Sequence, residues 1–202
     1  MKQTLIILIV ALLIPTSSYA ATAPSTFSAA RSVLVASSSP WNAYIAGISV
    51  VHTANVRGDL VALGGSIVTA APVSGDELLF AGSINSRARV GGDVRAIAGR
   101  INIEESIVGD LVAFGYSVYD SGRAGGSVFI IAANTAVSNG AGGPVTIYGN
   151  NISLAGKFAD DIRIVASGRV TLVASTTIVG KLSYEAPEQA TIPTSVIING
   201  GV

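Results

Sequence analysis

The sequence predicts an all-β chain that folds as a single-stranded β-helix, that is, a β-solenoid with coils of about 17 residues. Gly-Asp dipeptides recur at a constant interval, and apolar residues rich in Val and Ile occupy every second position between them. Helical spacing of apolar residues at three and four is absent, so the elements are short strands. A strand–turn unit this short cannot bury its apolar face alone, and stacking of successive units buries it.

The repeat is visible in four Gly-Asp pairs whose glycines follow one another at a constant step of 17 (75−58, 92−75 and 109−92). These turn-motif residues are Gly58, Asp59, Gly75, Asp76, Gly92, Asp93, Gly109 and Asp110. The same step continues in degraded form to Gly126-Ser127, Gly143-Pro144 and Asp160-Asp161, and a step of 20 (180−160) then leads to Gly180. We therefore expect eight or nine coils, stacked about 4.8 Å apart. A period of 17 argues against the left-handed helix of hexapeptides, whose coil would need multiples of six.

The columns around each glycine predict which side chains face the core. Positions two and four after it are apolar and are expected to face inward, with Glu77 as the exception. Position six holds only Gly or Ala, which indicates a corner or a close backbone approach. Position five is apolar throughout and forms a candidate interface stripe of Leu63, Phe80, Ile97, Phe114, Ile131, Tyr148 and Val165. Either this stripe faces outward as an interaction surface or a corner turns it inward.

Composition excludes several classes of protein. The chain of 202 residues is 50% hydrophobic, with 12 basic and 12 acidic residues and a formal net charge of zero. High hydrophobicity without net charge excludes disorder, and the neutral balance gives no electrostatic footprint for nucleic acid. Because there is no cysteine, disulfides, thiolate metal sites and cysteine nucleophiles are excluded as well.

Residues 1–20 have the pattern of a secretory signal peptide. One positive charge at Lys2 precedes an apolar run over residues 5–14, a breaker at Pro15 and small residues before the expected cleavage between Ala20 and Ala21. The run of about ten residues is short of the roughly 20 that span a bilayer. We expect an exported protein of the periplasm, the cell envelope or the extracellular space, which an uncleaved signal would anchor in the membrane.

The remainder divides into two predicted parts. Residues 21–40 are rich in Ser, Ala and Thr and are expected to be a linker with one weak strand around residues 32–35. Residues 41–202 are expected to form the solenoid. The longer step before Gly180, with prolines at 187 and 193, predicts an irregular last coil, which the sequence leaves either incomplete or shaped as an edge.

No arrangement of residues predicts catalysis, a cofactor or a metal. The aspartate column would place carboxylates about 5 Å apart, as calcium sites do, but Asp after Gly also closes a turn by bonding its own backbone. Glu104 and Glu105 point to opposite faces of a strand, and Glu104 lies one period from Arg87, which predicts an exposed ion pair instead. The single histidine, His52, has no acidic neighbour and is expected to be a plain strand residue.

The phrase Val-x-Gly-Asp-Leu/Val-x-Ala, at residues 56–62 and 90–96, resembles the bactofilins, the polymer-forming cytoskeletal proteins of bacteria. The resemblance covers roughly residues 41–182. It implies a right-handed β-helix that associates end to end into nucleotide-free filaments, and it brings no catalytic residues. The export signal departs from bactofilins, which are cytoplasmic or attached to the membrane from inside, and suggests an exported branch of envelope proteins.

Together these observations lead us to expect a non-enzymatic structural or scaffolding protein of the bacterial envelope that self-associates through the ends of its β-helix. The expected partner is the chain itself, and a membrane or an envelope protein is a further candidate; nucleic acid and nucleotide are not expected. The alternative is an exported binding module, either an adhesin or a glycan-binding solenoid. A β-helix lyase or hydrolase comes third, since the carboxylate–basic cluster that it would need is not found.

Overall fold

A computed structural model describes residues 25–202, which form strands and turns without any helix. All strand pairing within this range is parallel. In chain order the strands are β1 (Thr26–Ala29), β2 (Ser32–Val35), β3 (Ala43–His52), β4 (Leu60–Thr69), β5 (Glu77–Ser86), β6 (Val94–Ile103), β7 (Leu111–Asp120), β8 (Val128–Val137), β9 (Gly140–Ala141), β10 (Val145–Leu154), β11 (Lys157–Phe158), β12 (Ile162–Ala166), β13 (Val170–Leu172), β14 (Thr177–Ile178), β15 (Leu182–Glu185) and β16 (Ile197–Ile198).

Successive strands pair in a constant register, so the chain is a β-solenoid. Ala43 is paired with Leu60, and Leu60 with Glu77, so each partner lies one period further along the chain. In the described part of the chain about ten coils stack in this way, beginning at residues 26, 43, 60, 77, 94, 111, 128, 145, 162 and 182. The predicted β-solenoid, with coils about 17 residues apart, is confirmed. We number columns from the first residue of each coil, so that Leu60 is in column 1.

Each coil bends because its inward positions change parity. In β4, Leu60 and Ala62 are buried at columns 1 and 3, whereas Ile67 and Thr69 are buried at columns 8 and 10. The bend between them contains the small residues of column 5, beginning with Gly64, and the pairing skips column 6. A further buried column closes the third side through isolated parallel bridges. Its members are Ser39, Val56, Val73, Val90, Ile107, Ala124 and Ala141.

At the amino end the solenoid begins earlier than the sequence predicted. Thr26 is paired with Ala43, and Ser32 with Ser49, so β1 and β2 form a full first coil on β3. Residues 26–40 are therefore part of the stack and not a linker, although the strand expected at residues 32–35 is present. Burial of Val33 and Val35 stabilises this coil. The repeat pattern did not reveal it because Thr26 and Ser28 are polar at inward columns that are apolar in most other coils. The signal-peptide prediction for residues 1–20 lies outside the described residues.

At the carboxyl end the coils lengthen and then close. The step from the ninth coil to the last is 20 (182−162), and β13 pairs with β10 one position out of the regular step, because Val170 lies opposite Ile152. In the last coil only β15 and β16 are strands. Its backbone completes the turn, since the Leu182 amide donates to the Gly201 carbonyl over 3.0 Å.

The Gly-Asp turns bind one coil to the next through side chains. Oδ1 of Asp59 accepts a hydrogen bond of 3.0 Å from the backbone amide of Asp76, and Asp76 accepts one of 2.8 Å from Asp93. The Asp110 amide continues the series at 2.9 Å to Asp93. The expectation that each aspartate bonds the backbone of its own turn was wrong, because the parallel stack brings the next coil's amide closer.

This ladder explains why glycine precedes aspartate. A Cβ on Gly75 would collide with Oδ1 of Asp59 and lie 2.8 Å from the backbone of Gly58. Only glycine therefore lets the aspartate of the preceding coil reach the next amide. The ladder also extends beyond the Gly-Asp pairs, since Asn42 accepts from the Asp59 amide over 2.9 Å and Asp161 from the Lys181 amide over 2.7 Å.

The ladder predicts a difference between two substitutions at Asp110, whose Oδ1 accepts from the Ser127 amide over 2.6 Å. Asp110→Ala leaves that amide without its side-chain acceptor, and we expect the free energy of unfolding to fall by about 1 to 2 kcal/mol. Asp110→Asn keeps an Oδ1 acceptor, as Asn42 does, and should lose much less. Urea denaturation measures both, and equal losses for the two variants would contradict the role of the ladder.

Candidate functional site

The predicted interface stripe lies in column 4 and faces outward. Leu63, Ile97 and Ile131 are exposed, while Phe80, Phe114, Tyr148 and Val165 are half-buried. Columns 3 and 5 on either side point toward the core or into the bend, so column 4 cannot also point inward. Of the two alternatives left open by the sequence, the outward one matches the structure.

Column 2 widens the stripe into a two-column surface, of which the sequence predicted only column 4. Its apolar members stand on the same side of the sheet as column 4, because residues two apart share a face. The alternation of apolar residues at every second position was the sequence signal that could have identified column 2. We call the combined surface the apolar face, and it consists of Phe27, Tyr44, Val61, Leu78, Val112 and Phe129 in column 2 with Leu63, Phe80, Ile97, Phe114, Ile131, Tyr148 and Val165 in column 4.

Aromatic contacts order the apolar face along the axis of the solenoid. The rings of Phe27 and Tyr44 stack with centroids 4.9 Å apart and an interplanar angle of 10°. Further along, Phe129 lies 5.9 Å from Phe114 and 6.1 Å from Tyr148, in both cases tilted by 59°. Such contacts hold large side chains in place before any partner arrives, so the apolar face is largely preformed.

One edge of the apolar face is acidic. Arg95, in column 2, turns toward this edge, where its guanidinium lies 2.8 Å from Asp93 and 3.3 Å from Asp76. Arg95 therefore covers the face with its aliphatic stem while its charge is placed over the aspartates. The carboxylate oxygens of the ladder that do not bond the backbone thus line this edge.

The aspartate column and the Arg87–Glu104 pair, which the sequence also singled out, form hydrogen bonds and an ion pair between coils. Within residues 25–202 no group of three or more His, Asp or Glu residues could hold a metal ion, and each ladder Oδ1 is engaged by an amide. The predicted ion pair between Arg87 and Glu104 is confirmed, with Nε and Oε1 3.3 Å apart on the surface. An exposed pair of this kind contributes little to stability.

A short chain of polar side chains runs through the core beside Glu77, the residue that breaks the apolar column. The Thr69 hydroxyl donates to Ser86 over 3.1 Å, and Ser86 donates to Oε2 of Glu77 over 3.0 Å. All three side chains are buried. Burial raises the pKa of Glu77 to about 7, against the opposing effect of the two hydroxyls. The carboxyl is therefore protonated in the folded protein over much of the acidic range.

Two more ionisable side chains are buried in column 10. Burial raises the pKa of Asp120 to about 7, with the Gly122 backbone acting in the opposite direction. Burial lowers the pKa of His52, which is completely enclosed although the sequence marked it only as a strand residue. Glu77, Asp120 and His52 lie in three different coils.

Glu77 should make stability fall as pH rises. In the unfolded chain its pKa is the ordinary 4.5, whereas the folded value is about 7, so the folded state binds more protons between these two values. The free energy of unfolding that depends on this proton is present below pH 4.5 and is lost by pH 7. The raised pKa of Asp120 also makes the free energy of unfolding fall as pH rises. The lowered pKa of His52 makes it rise as pH rises toward 6.5.

We expect Glu77→Leu to isolate this effect, because Leu60 and Leu111 already occupy the same column in other coils. The stability that the variant gains over the parent chain should be larger at pH 8 than at pH 5 by about 2 to 3 kcal/mol. Denaturant unfolding at both values measures it. Glu104→Leu, on the surface, is the control with a pH-independent effect; a pH-independent effect of Glu77→Leu as well would contradict the prediction.

A groove that is more polar than the apolar face lies on the next side of the solenoid. Asn134 and Asn151 are joined by a hydrogen bond of 3.1 Å and line it together with Arg169, while the exposed Tyr119 stands at one end. Small side chains at Ala136, Ser153 and Thr171 form part of its lining. The groove combines an aromatic surface with amide and guanidinium donors.

Comparison with known proteins leaves the chain without an assigned relative. No family model matches it, and neither the curated proteins nor the solved structures include a match. Residues 25–202 contain no helix long and apolar enough to cross a membrane.

Proposed function

We propose that this protein is a non-enzymatic scaffold of the bacterial envelope that polymerises end to end, in the manner that its resemblance to bactofilins suggests. The observation that carries the proposal is the exposed edge at each end of the main sheet, which begins with β1 and ends with β15. No described residue pairs with the outer edge of β1, and on the outer edge of β15 the Leu182 amide bonds the Gly201 carbonyl at the start of the strand. Such edges pair with further strands unless they are covered.

The amino-terminal edge has backbone groups directed along the axis. The amides of Thr26 and Ala30 donate to Asn42 and Ala46 in the second coil. Along a parallel strand successive amides alternate in direction, so those of Phe27 and Ala29 point away from the stack. They are available to another strand that arrives in the same register.

The carboxyl-terminal edge offers the complementary groups together with incompletely covered core residues. Tyr184, Ile192, Val196 and Ile198 pack on the core from the last coil and stay partly exposed. A copy continuing the register would place its Ser28 beside Tyr184, so that the largest inward side chain of one end meets a small one of the other. Burial of these apolar side chains would stabilise the joint.

Localisation in the envelope rests on the export signal expected in residues 1–20. An envelope scaffold requires neither nucleotide nor metal for assembly, because the stacking of backbone hydrogen bonds and apolar side chains supplies the free energy. Assembly of this kind is therefore expected from the purified chain alone.

Polymerisation should depend on the Ala29 amide. Ala29→Pro removes an amide that points to the open edge, and proline is tolerated at edge strands, so the solenoid should keep its stability. We expect the parent chain to form long unbranched fibres in negative-stain electron microscopy and fast-sedimenting species in the ultracentrifuge, and the variant to form neither.

Ala29→Val is the matched control, because it retains the amide and should polymerise like the parent chain. A parent chain that stays monodisperse over a wide concentration range would refute end-to-end assembly. Equal polymerisation of Ala29→Pro and the parent chain would show that the joint uses other groups.

The polar groove favours a second candidate function, glycan binding. The ring of Tyr119 offers a flat apolar surface to the C–H face of a sugar, and Asn134, Asn151 and Arg169 offer hydrogen bonds to its hydroxyls. A solenoid with this groove would act as an adhesin or a glycan-binding module.

For glycan binding we expect Tyr119→Ala to abolish heat of binding to envelope oligosaccharides in isothermal titration. Tyr116→Ala is the control, because Tyr116 is an exposed tyrosine of the same strand outside the groove. Absence of binding by the parent chain, or equal loss in both variants, would exclude the groove as a glycan site.

A further inference from the structure

The apolar face runs along most of the solenoid. It extends from the first coil to the ninth, about 38 Å at 4.8 Å per coil, and its two columns with their side chains are about 12 Å wide. The resulting area of about 450 Å² lies within the range of the largest apolar patch of a typical monomer, which is often functional. Column 4 of this patch is apolar without interruption from Leu63 to Val165, whereas column 2 is interrupted at Arg95, Thr146 and Arg163.

We propose that a second copy of this chain covers the apolar face, so that two solenoids lie side by side, parallel and in register. This lateral contact is distinct from the end-to-end joint and does not depend on it. The two faces would pack like the sheets of a β-sandwich, about 10 Å apart.

The area allows only a weak contact with a second copy. Two faces of about 450 Å² bury about 900 Å² together, just below the roughly 1,000–1,200 Å² at which specific interfaces begin. A pair of isolated chains should therefore associate weakly, in the micromolar range or above. Because the stacked rings are already ordered in the free chain, little side-chain entropy is lost on contact.

Charge determines the relative direction of the two chains. One edge of the apolar face has the acidic ladder of Asp59, Asp76, Asp93 and Asp110, of which Arg95 compensates part. In an antiparallel pair the two acidic edges would face each other. In a parallel pair each acidic edge faces the partner's opposite edge, beyond column 4, where side chains of columns 6 and 7 stand.

That opposite edge is basic where it is charged. Arg31 lies in column 6 of the first coil and Arg100 in column 7 of the fifth; both are exposed, and neither forms an ion pair within the described residues. With the coils in register, Arg100 of one copy stands opposite Asp93 and Asp110 of the other. Complementary edges of this kind favour the parallel pair over the antiparallel one.

The same acidic edge argues against a bilayer as the occupant. An anionic lipid surface attracts basic residues and repels carboxylates, and the longest row of charges beside the apolar face is negative. A second copy is the partner that both the shape and the charges fit.

The test measures association of the chain in the Ala29→Pro background, where end-to-end joints are blocked. Leu63→Lys with Ile131→Lys places charges at positions 50% and 41% exposed on the apolar face. Val108→Lys with Val179→Lys is the matched control, because these side chains are 50% and 43% exposed away from that face. Sedimentation equilibrium should give a dimer whose Kd rises at least tenfold in the first pair of substitutions and is unchanged in the second.

The direction of the pair can be read from nitroxide labels, since the chain has no cysteine to interfere. A single label at Ser32→Cys, at the edge of the first coil, should lie about 20 Å from its counterpart in a parallel pair and about 40 Å in an antiparallel one, judged from the coil spacing. Electron–electron double resonance distinguishes these distances.

Several results would overturn the proposal. They are a monomer at all concentrations in the Ala29→Pro background, equal effects of the two pairs of lysine substitutions, or the longer label distance of the antiparallel pair. Cosedimentation with phosphatidylglycerol vesicles that is lost only in the Leu63 and Ile131 variant would assign the face to lipid instead. Failure of the parent chain to form fibres would refute end-to-end assembly alone and leave the lateral dimer to be measured by itself.

Discussion

The architecture depends on one constraint, the parallel alignment of each residue with the residue 17 positions further on. This register lets every coil satisfy its backbone through its neighbours, and it brings chemically equivalent side chains above one another. The Gly-Asp turn maintains it, because the aspartate reaches across to the next coil's amide only where glycine leaves space. The same bond forms between Asp161 and the Lys181 amide across the longer step of 20, so the contact aligns the coils at the turn even where the rest of the coil lengthens.

The same stacking explains why the core tolerates polar residues at few places. An inward position at the middle of the stack is covered on both sides by other coils, and Glu77 is buried there only with the help of Ser86 and Thr69. The hydrogen bond to Oε2 of Glu77 compensates only part of the cost of burial, because Oε1 has no hydrogen-bond partner in the described chain. Glu77 therefore costs stability at neutral pH, which the many aliphatic contacts around it offset.

Periodicity made the fold predictable from the sequence, and its loss made the ends difficult. The coils between residues 43 and 161 have both the glycine turn and the alternating columns, so their strands and inward faces follow directly. The first coil has Trp41-Asn42 where the regular coils have a glycine turn, and two of its inward positions, Thr26 and Ser28, are polar. Its place appears only through backbone pairing and through Asn42, which bonds the Asp59 amide as an aspartate would. The partners of Glu77 also required three dimensions, since Ser86 is nine residues away.

Only one of the two columns of the apolar face could be recognised from the sequence, for a related reason. Column 4 is apolar in every coil from Leu63 to Val165 and stood out, whereas column 2 is interrupted by Arg95, Thr146 and Arg163. The structure shows that Arg95 leans away to the aspartates, so the interruption is smaller than the letters suggest. Because each column recurs from coil to coil, one exposed apolar position in the repeat produces an apolar strip along the solenoid. Apolar patches of this size are often functional, and this strip is the surface that the proposed lateral pair would use.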